Sequence, residues 1–156
     1  LLPNGNTATR EVVEHPGGVC VAALTDNDEL LFVKQWRYPY MEETLEIPAG
    51  KRDRQDEDPL ECGKRELLEE TGATATNYLD LCPLYPSPGY VDEVIYCYLA
   101  TGLSFGEQCP DEDEFLDVLR IPLKKAVDMV LNGEIKDAKT QIAVLKVNTL
   151  KESGKI

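Results

Sequence analysis

The chain has 156 residues, with 29 acidic side chains against 16 basic ones and a formal net charge of −13. That length fits one domain with a full hydrophobic core, and a hydrophobic fraction of 42% speaks against wholesale disorder. The negative excess argues against nucleic acid or an anionic membrane as the main partner, and no apolar run reaches the roughly 20 residues of a membrane span.

The first element in chain order is a strand, Val19-Cys20-Val21-Ala22-Ala23-Leu24, opened by Gly17-Gly18. Asp26-Asn27-Asp28 reads as a tight turn into a second strand over residues 30–33, so residues 19–35 are expected to form a hairpin. Leu45-Glu46-Ile47 is a short strand that ends at Pro48-Ala49-Gly50. Asp58 is a good N-cap, Pro59 suits the first helical position and Thr71-Gly72 closes that helix. Residues 92–100 (DEVIYCYLA) form a strand rich in β-branched and aromatic residues, and the alternation from Phe115 to Ile121 predicts another. Pro122 starts a second helix with Leu123, Ala126, Val127, Val130 and Leu131 on its buried face and Gly133 as its stop. Asp137 caps a third, with Ile142, Leu145, Thr149 and Leu150 expected inside. Strands, helix, strands, two helices predict an α+β fold, a mixed sheet sandwiched between α-helices. The start, Leu1-Leu2-Pro3-Asn4-Gly5, lacks an initiator methionine and resembles a turn, so strands upstream of residue 1 are expected.

Composition removes several chemistries. The one histidine, His15, and the three serines, Ser87, Ser104 and Ser153, offer no nucleophile-elbow context. The five cysteines form no Cys-x-x-Cys pair and read as reduced, mostly buried thiols of a cytoplasmic protein.

The acidity is concentrated. Residues 42–70 hold eleven acids and five bases, and residues 107–117 hold six acids and no base. On the helix after Asp58, Glu66, Glu69 and Glu70 fall within about a 100° sector, while Leu60, Leu67 and Leu68 are expected to face the core. Like charges at this spacing repel, and the C-terminal half of a helix disfavours anions. Two accounts stay open on the residues alone: a solvated acidic face, or carboxylates that ligate a divalent cation.

Gly50, Glu57 and the run Arg65-Glu66-Leu67-Leu68-Glu69-Glu70-Thr71-Gly72-Ala73 resemble the Nudix box, G-x5-E-x7-R-E-U-x-E-E-x-G-U with U aliphatic. Six residues rather than five separate Gly50 from Glu57, the extra one falling in the polar loop 51–56. Leu45 to Lys51, Lys34-Gln35-Trp36-Arg37, Pro88 fifteen residues after Ala73, and Asp137-Ala138-Lys139-Thr140 resemble the ADP-ribose pyrophosphatase branch.

The resemblance implies a single Nudix hydrolase domain over residues 1–156. It implies hydrolysis of ADP-ribose to AMP and ribose 5-phosphate with Mg²⁺, for which Mn²⁺ is a substitute. Glu66 and Glu70 would ligate the metal, with Glu69 as ligand or close neighbour, the Ala49 carbonyl as a further ligand and Glu57 in support. Arg65 would orient these glutamates rather than touch substrate. The base would be Glu112, or failing that Glu114, on a loop that returns to the box. Arg37 would contact a phosphate or the terminal ribose, and Glu46 an adenine amino group or a ribose hydroxyl. Trp36 would stack on the base or lie in the core or an interface, and the Ser87-Pro88-Gly89 turn would line the ribose end. Members of the branch are usually homodimers with an exchanged N-terminal sheet. The alternatives are another nucleoside diphosphate sugar or a dinucleotide as substrate, or a module that binds ADP-ribose without cleaving it.

Overall fold

A computed structural model describes residues 1–109 and 116–156. Among them, the elements follow in the order β1 (Gly18–Ala23), β2 (Glu29–Arg37), β3 (Glu42–Glu46), β4 (Ala49–Lys51), α1 (Pro59–Thr71), β5 (Ala73–Leu84), β6 (Ile95–Phe105), β7 (Asp117–Pro122), α2 (Leu123–Leu131) and α3 (Ala138–Glu152). They build a mixed sheet, β4-β1-β6-β5, in which β1 and β6 run parallel, and an antiparallel sheet, β3-β2-β7. The fold is α+β, with the strands divided between two sheets.

β1 is buried at every position, and an all-apolar strand needs cover on both faces. Cys20 and Ala22 join a core with Phe32, Leu99, Val144 and Val147, while Val19, Val21 and Ala23 pack with Cys62 and Leu67 of α1. This central position overturns the expected hairpin over 19–35. β1 and β2 share only the bridge Leu24 to Leu30, and Asp28, at φ 59°, turns the chain into the other sheet. There β2 runs on to Arg37 and pairs with β3 and β7.

β5 was not expected. Its sequence, ATATNYLDLCPL, carries Asn, Asp and Pro, and all but its first position are exposed or half-buried. It survives as a strand because it is the edge of its sheet, where a proline is tolerated and one face meets water. β6 begins three residues later than predicted and continues to Phe105 along β5. The strand predicted at 115–121 is β7, with Phe115 outside the described residues.

The caps hold as read: Asp58 accepts from the Leu60 and Glu61 amides, Gly72 ends α1 at φ 68°, and Asp137 accepts from the Thr140 amide. The buried faces differ from expectation. Leu68, Leu131, Ile142, Leu145 and Thr149 are exposed. α3 instead buries Thr140, Ala143, Val144 and Val147, small and branched residues that let the helix lie close to β1 and β6. No described helix is long and apolar enough to cross a membrane. All five cysteines are free; Cys20, Cys62 and Cys97 are buried and Cys109 is exposed.

Candidate active site

Glu66 is 9% exposed and Glu70 1%, and Glu69 is half-buried. A solvated acidic face does not bury its carboxylates, so the first of the two accounts above fails. What lets Glu66 in is Gly50. A Cβ at Gly50 would stand 2.0 Å from the Glu66 carboxyl carbon, so any side chain there would push the Glu66 carboxylate out of its present position. Glu70 Oε2 accepts from the Ala49 amide at 3.0 Å, which locks the box helix to the start of β4.

Arg65 gathers the remaining carboxylates. Its Nη1 lies 2.9 Å from both Glu66 and Glu69, and its Nη2 lies 3.6 Å from Glu57. Burial works against its charge, but Glu66, Cys62 and Glu69 together hold the guanidinium firmly protonated, above its ordinary value. Burial also pushes the neighbouring Cys62 thiol up to about 12, so it is an inert thiol beside Arg65. Glu57, and not Asp56, belongs to this cluster: Glu57 also accepts from the Asp53 amide at 2.7 Å, whereas Asp56 is out in solvent paired with Arg54. The extra loop residue is thus absorbed before Glu57.

Among the described residues, no three His, Cys, Asp or Glu side chains converge as a ready ligand set. Arg65 stands between Glu66 and Glu69 instead. The donor chemistry nevertheless fits a hard divalent cation: the carboxylate oxygens of Glu66 and Glu69 at the cleft wall, and a glycine cradle that brings Glu66 against the strand.

A cleft of about 1080 Å³ opens beside the cluster, lined by Gly50, Glu66 and Glu69 and also by Arg37, Glu46 and Lys139. Arg37 and Glu46 lie on paired strands, β2 and β3, and form a bidentate pair at 2.7 and 2.6 Å. Thr44 Oγ1 donates to Glu46 at 2.6 Å and Lys139 Nζ donates to its second oxygen. Each Glu46 oxygen therefore accepts two hydrogen bonds, which is its full capacity. Burial alone would raise its pKa, but the Arg37 bonds and Lys139 outweigh it and hold Glu46 at about 2.

The other expected residues scatter. Trp36 is 55% exposed, so it is no core residue, and it does not line the cleft. Ser87 lines the cleft, while Pro88 and Gly89 line a separate apolar recess of about 380 Å³ with Tyr85 and Tyr90. Glu112 and Glu114 lie outside the described residues. The chain leading toward them is tied to the end of α1, where Gly106 N donates to the Gly72 backbone carbonyl, Cys109 N to the Glu69 backbone carbonyl and Gln108 Nε2 to the Glu70 backbone carbonyl. Lys139, Thr140, His15 and Glu93 went unassigned from sequence. His15 and Glu93 stand 3.4 Å apart at the cleft wall, and only the Asp137-to-Thr140 resemblance marked the first two.

The family model for the NUDIX domain matches residues 14–142. The chain is 43% identical over 145 residues to an ADP-ribose pyrophosphatase of Bacillus subtilis (strain 168), covering 92% of this chain and 78% of that one. A methanol dehydrogenase activator of Bacillus methanolicus is similar to the same extent. A GDP-mannose pyrophosphatase of Yersinia enterocolitica serotype O:8 is 33% identical over 141 residues, 84% of this chain and 73% of that one. The crystal structure of an ADP compounds hydrolase matches with a TM-score of 0.79 at 26% identity, over 90% of this chain and 75% of that one.

Proposed function

The chain belongs to the NUDIX domain family and is a pyrophosphatase with that family's α+β fold, and we propose that it hydrolyses ADP-ribose, with Mg²⁺, to AMP and ribose 5-phosphate. The observation that carries the site is the buried Glu66 carboxylate held against Gly50, next to Glu69 and at the mouth of the cleft. Glu66 and Glu70 would hold the metal with the Ala49 carbonyl, Glu69 would stand beside them as ligand or neighbour, and Mn²⁺ would substitute for Mg²⁺. Arg65 and Glu57 keep the glutamates oriented. A bound divalent ion supplies charge neutralisation of the diphosphate and an acidified water. Glu112, or Glu114 in its place, would accept on a carboxylate oxygen the proton of the water that attacks the diphosphate.

Arg37 meets a substrate phosphate, for which a guanidinium is well shaped. With all four acceptor positions taken, Glu46 acts first as the anchor of Arg37, and reaches a base or ribose only if a donor lets go. Ser87 carries the turn's contact with the ribose end, with Pro88 and Gly89 shaping the turn around it, and Trp36 contributes to a base or to a protein interface. We read residues 1–156 as one domain that works as a cytoplasmic homodimer. Free, mostly buried cysteines and an exposed aromatic surface on β2 and the turn into β3 favour that reading.

The pyrophosphatase relatives favour two substrate classes, ADP-ribose and GDP-mannose, and the box acts on the diphosphate that both contain. A panel with Mg²⁺ separates them, scoring nucleoside monophosphate release from ADP-ribose, GDP-mannose, UDP-glucose, diadenosine polyphosphates and NADH. The highest kcat/KM is expected for ADP-ribose. A higher value for GDP-mannose would transfer the assignment to that sugar nucleotide.

A further inference from the structure

Residues Ile47 and Pro48 lie between β3, in one sheet, and β4, in the other, and belong to neither strand. Each residue of this crossing is nevertheless held by a different element. The Ile47 amide donates to Thr140 Oγ1 of α3 at 3.0 Å, in a fully buried bond. The Pro48 carbonyl accepts from the Val21 amide of β1 at 2.8 Å. The Ala49 amide donates to Glu70 of α1 at 3.0 Å. One end of the crossing is Glu46, anchor of Arg37, and the other is Ala49.

Thr140 is fully buried, and its hydroxyl has a defined polarity. It donates to Asp137 Oδ2 at 2.6 Å, so its lone pair is left to accept from Ile47. Asp137 in turn is held by the Thr140 amide at 2.9 Å and by Lys139 Nζ at 3.1 Å. Lys139 also reaches Glu46, so the first turn of α3 grips both ends of the Glu46–Ile47 step.

We propose that Thr140 is a positioning residue: through the Ile47 amide it sets where Ala49 stands against Glu70, and so tunes the affinity of the box for a divalent cation. The proposal rests on the metal site proposed above. Groups hydrogen-bonded directly to a metal ligand are worth about 10–100-fold in affinity when removed, and Thr140 acts one link further back, through the Ile47 amide, so the low end of that range is expected. Thr140→Val keeps the shape and removes the acceptor, leaving the buried Ile47 amide unpaired.

The test is direct binding of Mn²⁺ to the apo protein, read from the electron paramagnetic resonance signal of free Mn²⁺, together with the thermal midpoint. Thr140→Val is expected to weaken Mn²⁺ binding about tenfold. Thr140→Ser, which restores the hydroxyl, recovers most of that loss. Val147→Ala, a cavity in the same helix, lowers the thermal midpoint without moving the affinity. Unchanged affinity in Thr140→Val, no recovery in Thr140→Ser, or an equal shift in Val147→Ala overturns the proposal. If Thr140→Val does not fold, Asp137→Asn decides. It retains a helix cap but weakens the grip on the hydroxyl, and binding as tight as wild type rejects the idea. Glu66→Gln and Glu70→Gln are measured alongside. If both bind Mn²⁺ normally, the metal assignment fails and Thr140 falls with it; if both lose binding while Thr140→Val does not, only the positioning role fails.

Discussion

At the scale of single residues, the site depends on an absent side chain as much as on those present. Gly50 has no conformational need for glycine, since its backbone is not left-handed; what it provides is room for Glu66. Gly50→Ala is therefore expected to lower kcat by two orders of magnitude or more, on the scale of losing a main electrostatic contributor. The overpacking should cost only about 1–3 kcal/mol of stability. Steady-state kinetics beside urea unfolding check this, and a variant with normal kcat would show that Glu66 does not need its present position. The proton acceptor is a second residue-level question. Glu112→Gln is expected to lower kcat far more than it changes KM, by about 10²–10⁴-fold. A normal kcat in single-turnover assays would move the base to Glu114.

At the scale of elements, the Arg37–Glu46–Lys139 network joins β2, β3 and α3. Glu46 is 2% exposed, and its pKa lies at about 2 instead of 4.5. A carboxylate shifted downward in the fold stabilises it above its ordinary pKa, and that contribution drains away as the pH falls from about 4.5 toward about 2. Glu46→Gln should thus cost about 3 kcal/mol at neutral pH, the loss expected on breaking a buried ion pair. The gap from wild type in urea unfolding should narrow as the pH is lowered through that window. A gap that does not change with pH would mean that shape, not charge, is what the glutamine loses. The helices teach a related lesson. α3 buries Thr140 and Val144 and exposes Ile142 and Leu145, so ranking positions by hydrophobicity alone picks the wrong face.

At the scale of the whole molecule, the division into two sheets makes the cleft. β1 goes to the mixed sheet and β2 to the antiparallel one, and the crossing from β3 to β4 brings Arg37 and Glu46 to the same cleft as the box helix. The outer part of β2 and its turn leave Trp36, Tyr38, Tyr40 and Met41 exposed by 55%, 77%, 74% and 64%. Under the proposed homodimer, these exposed apolar side chains are the expected interface. With the proposed homodimer, sedimentation should give a dimer, and the double substitution Trp36→Ser, Tyr38→Ser should shift it toward monomer. A wild-type monomer at micromolar concentration would remove the dimer from the proposal.

The sequence by itself determined the features whose causes are local. Glu66, Glu69 and Glu70 share an edge because helical geometry places them there, and Asp58, Gly72 and Asp137 terminate helices through bonds to near neighbours. β1 was legible because continuous apolarity needs no partner to be recognised. Only the tertiary structure decided the rest. β5 is a strand because β6 lies beside it, and its own residues argue weakly for one. Lys139 and Thr140 reach Glu46 and Ile47 across 93 positions of sequence, a pairing set by sheet order and helix docking. That distance is why the box could be read from one helix, whereas the support behind it needed the assembled fold.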